Sequence, residues 1–186
     1  HGPNPWQQTQ WDWRAAANFM CGGAGSGLLV FTTLSASSPS TPWLLLLGLA
    51  LVGAGLFCVW MEIGRPWRAL HVFFNPRTSW MTREGGVAML LIPAGLAAAY
   101  GLSAFSGITC ALALGFVYCQ GRILKAAKGI PTWREPLIVP LVVATGLAEG
   151  GGLWLALQSQ QAMAQPWVLL LLGAALLGRA VLWPLY

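Results

Sequence analysis

Long apolar runs alternate with short polar breaks along the whole chain. The runs predict helices at about 15–35, 43–63, 83–102, 105–123, 137–157 and 166–185. At about 1.5 Å per residue, each approaches or exceeds the length needed to cross roughly 30 Å of hydrocarbon. A β-barrel would instead show alternating segments of about 10 residues, and none is seen. The expected fold is all-α, a polytopic transmembrane helix bundle of about six spans forming a single integral membrane domain over residues 1–186. The chain begins at His1, as a processed, tagged or partial sequence does, and no charged segment of the signal-peptide kind precedes its first apolar run.

The polar breaks are unequal. Ser35–Pro42 carries no charge, and neither does the stretch QSQQAMAQ from Gln158 to Gln165. Met61–Gly85 is the longest interruption and the most heavily charged. Thr82 is available there as an N-cap for the third helix, with Glu84 in its first turn, where the helix dipole favours an anion. The first helix contains CGGAGSG, Cys21–Gly27, spaced like a weak dinucleotide fingerprint. No strand precedes it, so close helix packing through small residues is the better reading.

Composition fixes the class. A hydrophobic share of 56% with 8% charged residues exceeds what a water-soluble domain carries. Ten Lys and Arg against five acids would suggest nucleic acid in a soluble protein; here, membrane orientation explains them better, and no nucleic-acid partner is expected. Arg14 precedes the first helix, and Arg65, Arg68, Arg77 and Arg83 follow the second. Arg122, Lys125, Lys128 and Arg134 follow the fourth, and Arg179 lies near the end of the sixth. All ten fall on one side, so both termini and both basic loops are expected to face the cytoplasm. Trp6, Trp11 and Trp13 suit a segment at headgroup level. Cys21, Cys58, Cys110 and Cys119 lie in apolar runs without a CxxC pair, which suits packing better than metal ligation.

Candidate chemistry is sparse. The two histidines, His1 and His71, lie outside the predicted spans, so no axial pair for haem is offered. No zinc spacing, P-loop or nucleophile elbow appears. The central break does offer groups suited to a membrane-soluble proton and electron carrier such as a quinone. Glu62 and Arg65 are spaced i, i+3; Glu84 adjoins Arg83; and His71, Trp67 and Trp80 lie between. A boundary carboxyl that takes up and releases protons serves such a site; equally, these acids pair with the arginines and the tryptophans form an aromatic belt. Tyr118 and Arg122, spaced i, i+4, share a helix face, and Trp133 and Arg134 stand where the fifth helix begins. They complete a headgroup pocket, touch a partner or meet lipid phosphate. Glu149 is an intramembrane acid and a functional candidate by position, with Arg179 offset from it by about 8 Å along the membrane normal.

Three stretches resemble a known family: the Trp-rich start running into the glycine-rich first helix, IGRPWRAL with NPRTSWMTREG, and YCQGRILKAAKGIPTWREP. They are similar to the NrfD-like and DmsC-like membrane anchors of molybdopterin oxidoreductases. The second stretch is similar to anchors of the sulfite dehydrogenase type. The third, with GLAEGGG, is similar to subunits of phenylacetyl-CoA:acceptor oxidoreductases. The resemblance implies a non-catalytic subunit in a bacterial inner membrane, passing electrons between quinone (menaquinone or ubiquinone) and an iron–sulfur cluster subunit. A molybdopterin catalytic subunit with Mo or W completes the complex, in the setting of anaerobic respiration. Glu84 matches an acidic residue linked to quinol binding, whereas Glu62 stands where several members have His. Relatives of the dimethyl sulfoxide reductase type have eight spans, more than the six counted here.

The quinone and proton-handling set is therefore Glu84, Glu62, His71, Arg65, Trp80, Arg83, Tyr118 and Arg122. Partner contact falls to Arg68, Arg77, Lys125, Lys128, Trp133 and Arg134, with membrane lipids around the whole. A purely structural anchor and a small transporter using Glu149 are the alternatives.

Overall fold

The computed structural model describes residues 12–35, 37–62, 77, 79–127, 129–163 and 165–186. These form α1 (Trp13–Leu34), α2 (Thr41–Glu62), α3 (Trp80–Ala99), α4 (Ala104–Ala126), α5 (Ile138–Leu157), the short α6 (Ser159–Met163) and α7 (Pro166–Leu185), with a 3-10 turn at Pro131–Arg134. No strand occurs among the described residues. Five of the helices are long and apolar enough to cross a membrane. The sixth long helix, α3, carries Arg83 and Glu84 near its start and packs against α2 and α4. The all-α bundle of about six spans expected from the hydrophobic pattern is the observed fold.

The helices run up and down between two chemically distinct ends. At one end Arg14, beginning α1, donates to the Met61 carbonyl near the end of α2 at 2.9 Å. Tyr186, following α7, donates to the Thr132 carbonyl of the 3-10 turn at 3.0 Å. At the other end Ser40 meets Gln158 across the α2 and α5 termini, beside a pocket of about 190 Å³ lined by Thr32, Ser38, Thr41 and Ser106. Among the described residues Arg14, Arg77, Arg83, Lys125 and Arg134 thus lie at the first end, and the second is lined by uncharged hydroxyls.

Local chemistry sets the helix ends. Asp12 caps α1, accepting from the Arg14 backbone N–H at 2.8 Å, while the Arg14 guanidinium pairs with its carboxylate at 2.8 Å. These contacts hold Asp12 below the ordinary carboxylate value. For α3 the cap is Ser79, whose Oγ accepts from the Thr82 N–H at 3.3 Å. The expected Thr82 cap is corrected accordingly: Thr82 is the third residue of the helix, and Glu84 the fifth, beyond the first turn. At about 1.5 Å per residue this sets Glu84 roughly one turn deeper. The α3–α4 turn uses Gly101 at φ +91°, the one positive φ among the described residues, a conformation glycine adopts without a Cβ clash.

α1 is the centre of the bundle, contacting α2, α4 and α5. Its glycines make this possible. A Cβ on Gly27 would strike the Gly146 carbonyl, and one on Gly150 would strike the backbone of Gly27 and Leu28. A Cβ on Gly25 would stand 2.7 Å from the Gly48 carbonyl oxygen of α2. The CGGAGSG run is therefore a packing surface, as the sequence indicates; close backbone approach gives helices in lipid the dispersion contacts that hold them together. Leu29, Leu49, Val52, Leu91 and Phe116 fill one core, and Leu28, Phe31, Trp154 and Leu172 a second under α7. All four cysteines are free, with Cys119 buried.

Candidate functional site

A polar cluster lies inside the bundle toward its basic end. Three helices supply it: Asn18 from α1, Glu84 from α3 and Gln120 from α4, exposed by 3%, 3% and 0%. Gln120 donates from Nε2 to the Asn18 carbonyl oxygen at 3.0 Å, and the Glu84 carboxyl meets the side-chain amides of both Asn18 and Gln120. Glycine brings these groups together. A Cβ on Gly22 would press on the Gln120 amide and stand 2.9 Å from the Phe116 ring, and one on Gly55 would stand 3.1 Å from Asn18 Oδ1.

The cluster is rich in unmet hydrogen-bond capacity. Asn18 Oδ1, Glu84 Oε1 and Gln120 Oε1 are buried without hydrogen-bond partners among the described residues. An orphaned buried polar atom costs free energy, and three such oxygens on three helices set this cluster apart from the apolar core around it. No salt bridge joins Glu84 to a base among the described residues, which sets it apart from an ordinary structural ion pair.

Close to this cluster in sequence, at the same end of α3 and α4, is an aromatic and cationic group. The guanidinium carbons of Arg83 and Arg122 each lie 4.2 Å from the Trp80 ring centroid. The Tyr118 ring meets Trp80 edge-on, with centroids 6.0 Å apart. Arg122 donates to the Tyr118 hydroxyl at 2.9 Å, which leaves the tyrosine its own proton to donate. Arg83 also donates to the Arg77 carbonyl at 2.9 Å, tying the break before α3 to its first turn. Two cation–π contacts and an edge-on aromatic pair hold this group in place.

The structure thus brings together Trp80, Arg83, Tyr118 and Arg122, with Glu84 one turn further in. Arg65, Arg68, His71 and Lys128 lie outside the described residues, as does the Glu62 side chain at the end of α2. Lys125 sits in the last turn of α4, and Trp133 and Arg134 form part of the 3-10 turn. Glu149 stands apart, on the wall of an apolar cleft of about 320 Å³ between α1, α5 and α7, with Phe19, Trp133 and Trp183. Arg179 is near enough to act on Glu149 through its charge, but no salt bridge joins them among the described residues.

Sequence reasoning missed Asn18 and Gln120. The signal was present in each, a lone carboxamide inside an otherwise apolar or small-residue helix, where an unpaired polar group is expensive. What the sequence does not show is that the two face each other and Glu84.

No curated protein matches the chain. A family model described as polysulphide reductase, NrfD, matches residues 3–163, a stretch that holds the first five long helices and every residue of the polar cluster. Together with the apolar helices, this match makes the chain a multi-pass membrane subunit of the kind found in molybdopterin and polysulphide reductase complexes. The chain belongs to the NrfD family.

Proposed function

We propose that this protein is the quinone-binding membrane anchor of an iron–sulfur/molybdopterin oxidoreductase, with its carrier site where α1, α3 and α4 meet. The observation that carries the reading is the buried Asn18, Glu84 and Gln120 cluster with its partnerless oxygens, next to a fixed aromatic and cationic group. Such residues fit a planar, polar headgroup: amides and a carboxyl to hydrogen-bond it, Trp80 and Tyr118 to pack beside it. A quinone, when bound, supplies two-electron, two-proton chemistry. The chain's part is to bind and orient the headgroup, exclude bulk water, and hold or release a proton at the Glu84 carboxyl.

Electrons come to this site from a cluster-bearing partner subunit docked on the basic end. Arg77, Arg134 and Lys125 lie at that end and supply the positive charge that would meet acidic groups on it. By the positive-inside rule that end faces the cytoplasm, so the catalytic subunit and its substrate are intracellular, in keeping with a CoA thioester of the phenylacetyl-CoA kind. A twin-arginine export signal on the catalytic partner would overturn this orientation.

The test is quinone-linked turnover of the assembled complex carrying Glu84→Gln, alongside labelling by a photoreactive quinone. The proposal expects turnover to fall at least about tenfold and the label to map to α1, α3 or α4 near the cluster. Full turnover with label elsewhere would leave the chain a structural anchor.

A further inference from the structure

Resting on the carrier site just proposed, we infer that its Asn18, Glu84 and Gln120 end is an acceptor site for hydrogen bonds, and so holds the hydroxyl-bearing, reduced form of the carrier more tightly than the carbonyl-bearing, oxidised form.

Which atoms are already engaged sets the donor and acceptor balance of the cluster. The Gln120 amide is oriented by its own bond: Nε2 donates to the Asn18 carbonyl oxygen at 3.0 Å, and Oε1 is left without a partner. Asn18 Oδ1 and Glu84 Oε1 are likewise unpartnered. Three oxygens on three helices are therefore left over, and all three are acceptors. Both Asn18 and Gln120 are more than nine-tenths buried, as is Glu84, so bulk water does not make up the deficit. A proton on Glu84 turns one of these oxygens into a donor and leaves the two amide oxygens, Asn18 Oδ1 and Gln120 Oε1, as acceptors, so the preference is strongest while the carboxyl is ionised.

An oxidised quinone presents only carbonyl lone pairs. Set against this cluster it leaves the acceptors unpaired and brings oxygen against oxygen. A quinol hydroxyl donates instead, meeting a buried acceptor whose alternative is to stay unsatisfied. The preference follows from the donor and acceptor inventory of the site and needs no change of conformation. A site that binds quinol more tightly than quinone raises the potential of the bound couple, making it a better electron acceptor and a poorer donor.

The experiment compares menadiol and menadione binding to the full chain in lipid nanodiscs, by isothermal titration calorimetry under anaerobic conditions. The expected result is menadiol binding about tenfold more tightly, equivalent to about 30 mV for a two-electron couple. Glu84→Gln replaces an acceptor oxygen with an NH2 donor, so this ratio is expected to fall toward one while the thermal unfolding midpoint stays close to that of the unaltered chain. Asn18→Ala, which removes an acceptor and adds no donor, is expected to lower menadiol affinity and leave menadione unchanged. Equal binding of the two probes to the unaltered chain, or tighter binding of menadione, overturns the acceptor-site inference and leaves the carrier site standing. Binding of neither probe overturns the carrier site itself, and this inference with it.

Discussion

The two sides of α1 solve opposite problems. Toward α5 the helix is stripped to backbone: Gly23 and Gly27 meet Gly146 and Gly150 with no side chain between. Toward α3 and α4 the same helix presents Asn18, and the glycine at position 22 makes room for an amide. Small residues serve both sides, but on one they close the gap between helices and on the other they admit polar groups whose hydrogen bonds are incomplete. A membrane bundle can be dry and tight in one seam because van der Waals packing is its main cohesive force. An incomplete polar junction in the other seam costs free energy that the carrier proposed here would offset.

Filling each side of α1 with a side chain separates the two cases most strongly. Gly150→Leu places a side chain where the Gly27 and Leu28 backbone stands, and backbone cannot step aside. Overpacking of this kind costs about 3 kcal/mol or more, and the expected outcome is loss of monodisperse protein on size-exclusion chromatography. Gly22→Ala instead meets the end of the Gln120 side chain and the edge of Phe116. It is expected to fold, with a smaller drop in thermal midpoint, and to weaken quinone-probe binding by displacing the amide from Asn18. Equal damage from the two variants would show that the α4-facing side is merely another packing seam.

Next in size is the contrast between the two acids. Glu84 is buried among amides with no cation paired to it among the described residues, whereas Glu149 stands on the wall of an apolar cleft within reach of the Arg179 charge. Quinone-linked turnover of the complex is expected to fall at least tenfold in Glu84→Gln, about 1.4 kcal/mol of barrier. In Glu149→Gln it is expected to stay within about threefold, under 1 kcal/mol. The reverse order would move the working site into the α1, α5 and α7 cleft.

Smaller again is the aromatic and cationic group. Trp80→Leu removes both guanidinium contacts and the Tyr118 edge contact. At about 0.5–1 kcal/mol for each exposed cation–π pair, the expected loss is about 1–2 kcal/mol in thermal or denaturant unfolding. Arg122→Lys keeps the charge but loses the planar group, and as it leaves the Arg83 contact intact it is expected to cost less than half of that.

Much of this was legible in the chain because lipid imposes a simple rule. Helix count and type follow from unbroken apolar length, and α7 begins and ends where the pattern placed it, at Pro166 and Leu185. The spacing of Tyr118 and Arg122 gave a shared helix face, and the two side chains do bond. Glu84 stood out as an acid beside an apolar run. The start of α3 was less legible, since Ser79 and Thr82 are both competent caps and only the backbone course chooses between them. That choice moves Glu84 from the boundary into the bundle. Asn18 and Gln120 went unnoticed because their importance is a matter of which helix faces which, and periodicity carries no information about that.

The smallest effect concerns the basic end, where Asp12 caps α1 and anchors Arg14, which in turn reaches the Met61 carbonyl of α2. The Arg14 side chain, then its backbone N–H, hold the Asp12 carboxyl below its ordinary value of 3.8. A carboxyl depressed in the folded state binds its proton less readily there than in the unfolded chain. Its stabilisation is therefore complete above about 3.8 and is lost as the pH falls through the lower, folded value. Asp12→Asn keeps an oxygen for the Arg14 N–H but abolishes this titration. The unaltered chain is therefore expected to unfold at a slightly higher temperature than Asp12→Asn at pH 7, and the difference to shrink steadily as the pH falls below 3.8 toward 2. A gap that persists undiminished at pH 2 would mean that shape at the cap, and not the charge shared with Arg14, ties α1 to α2.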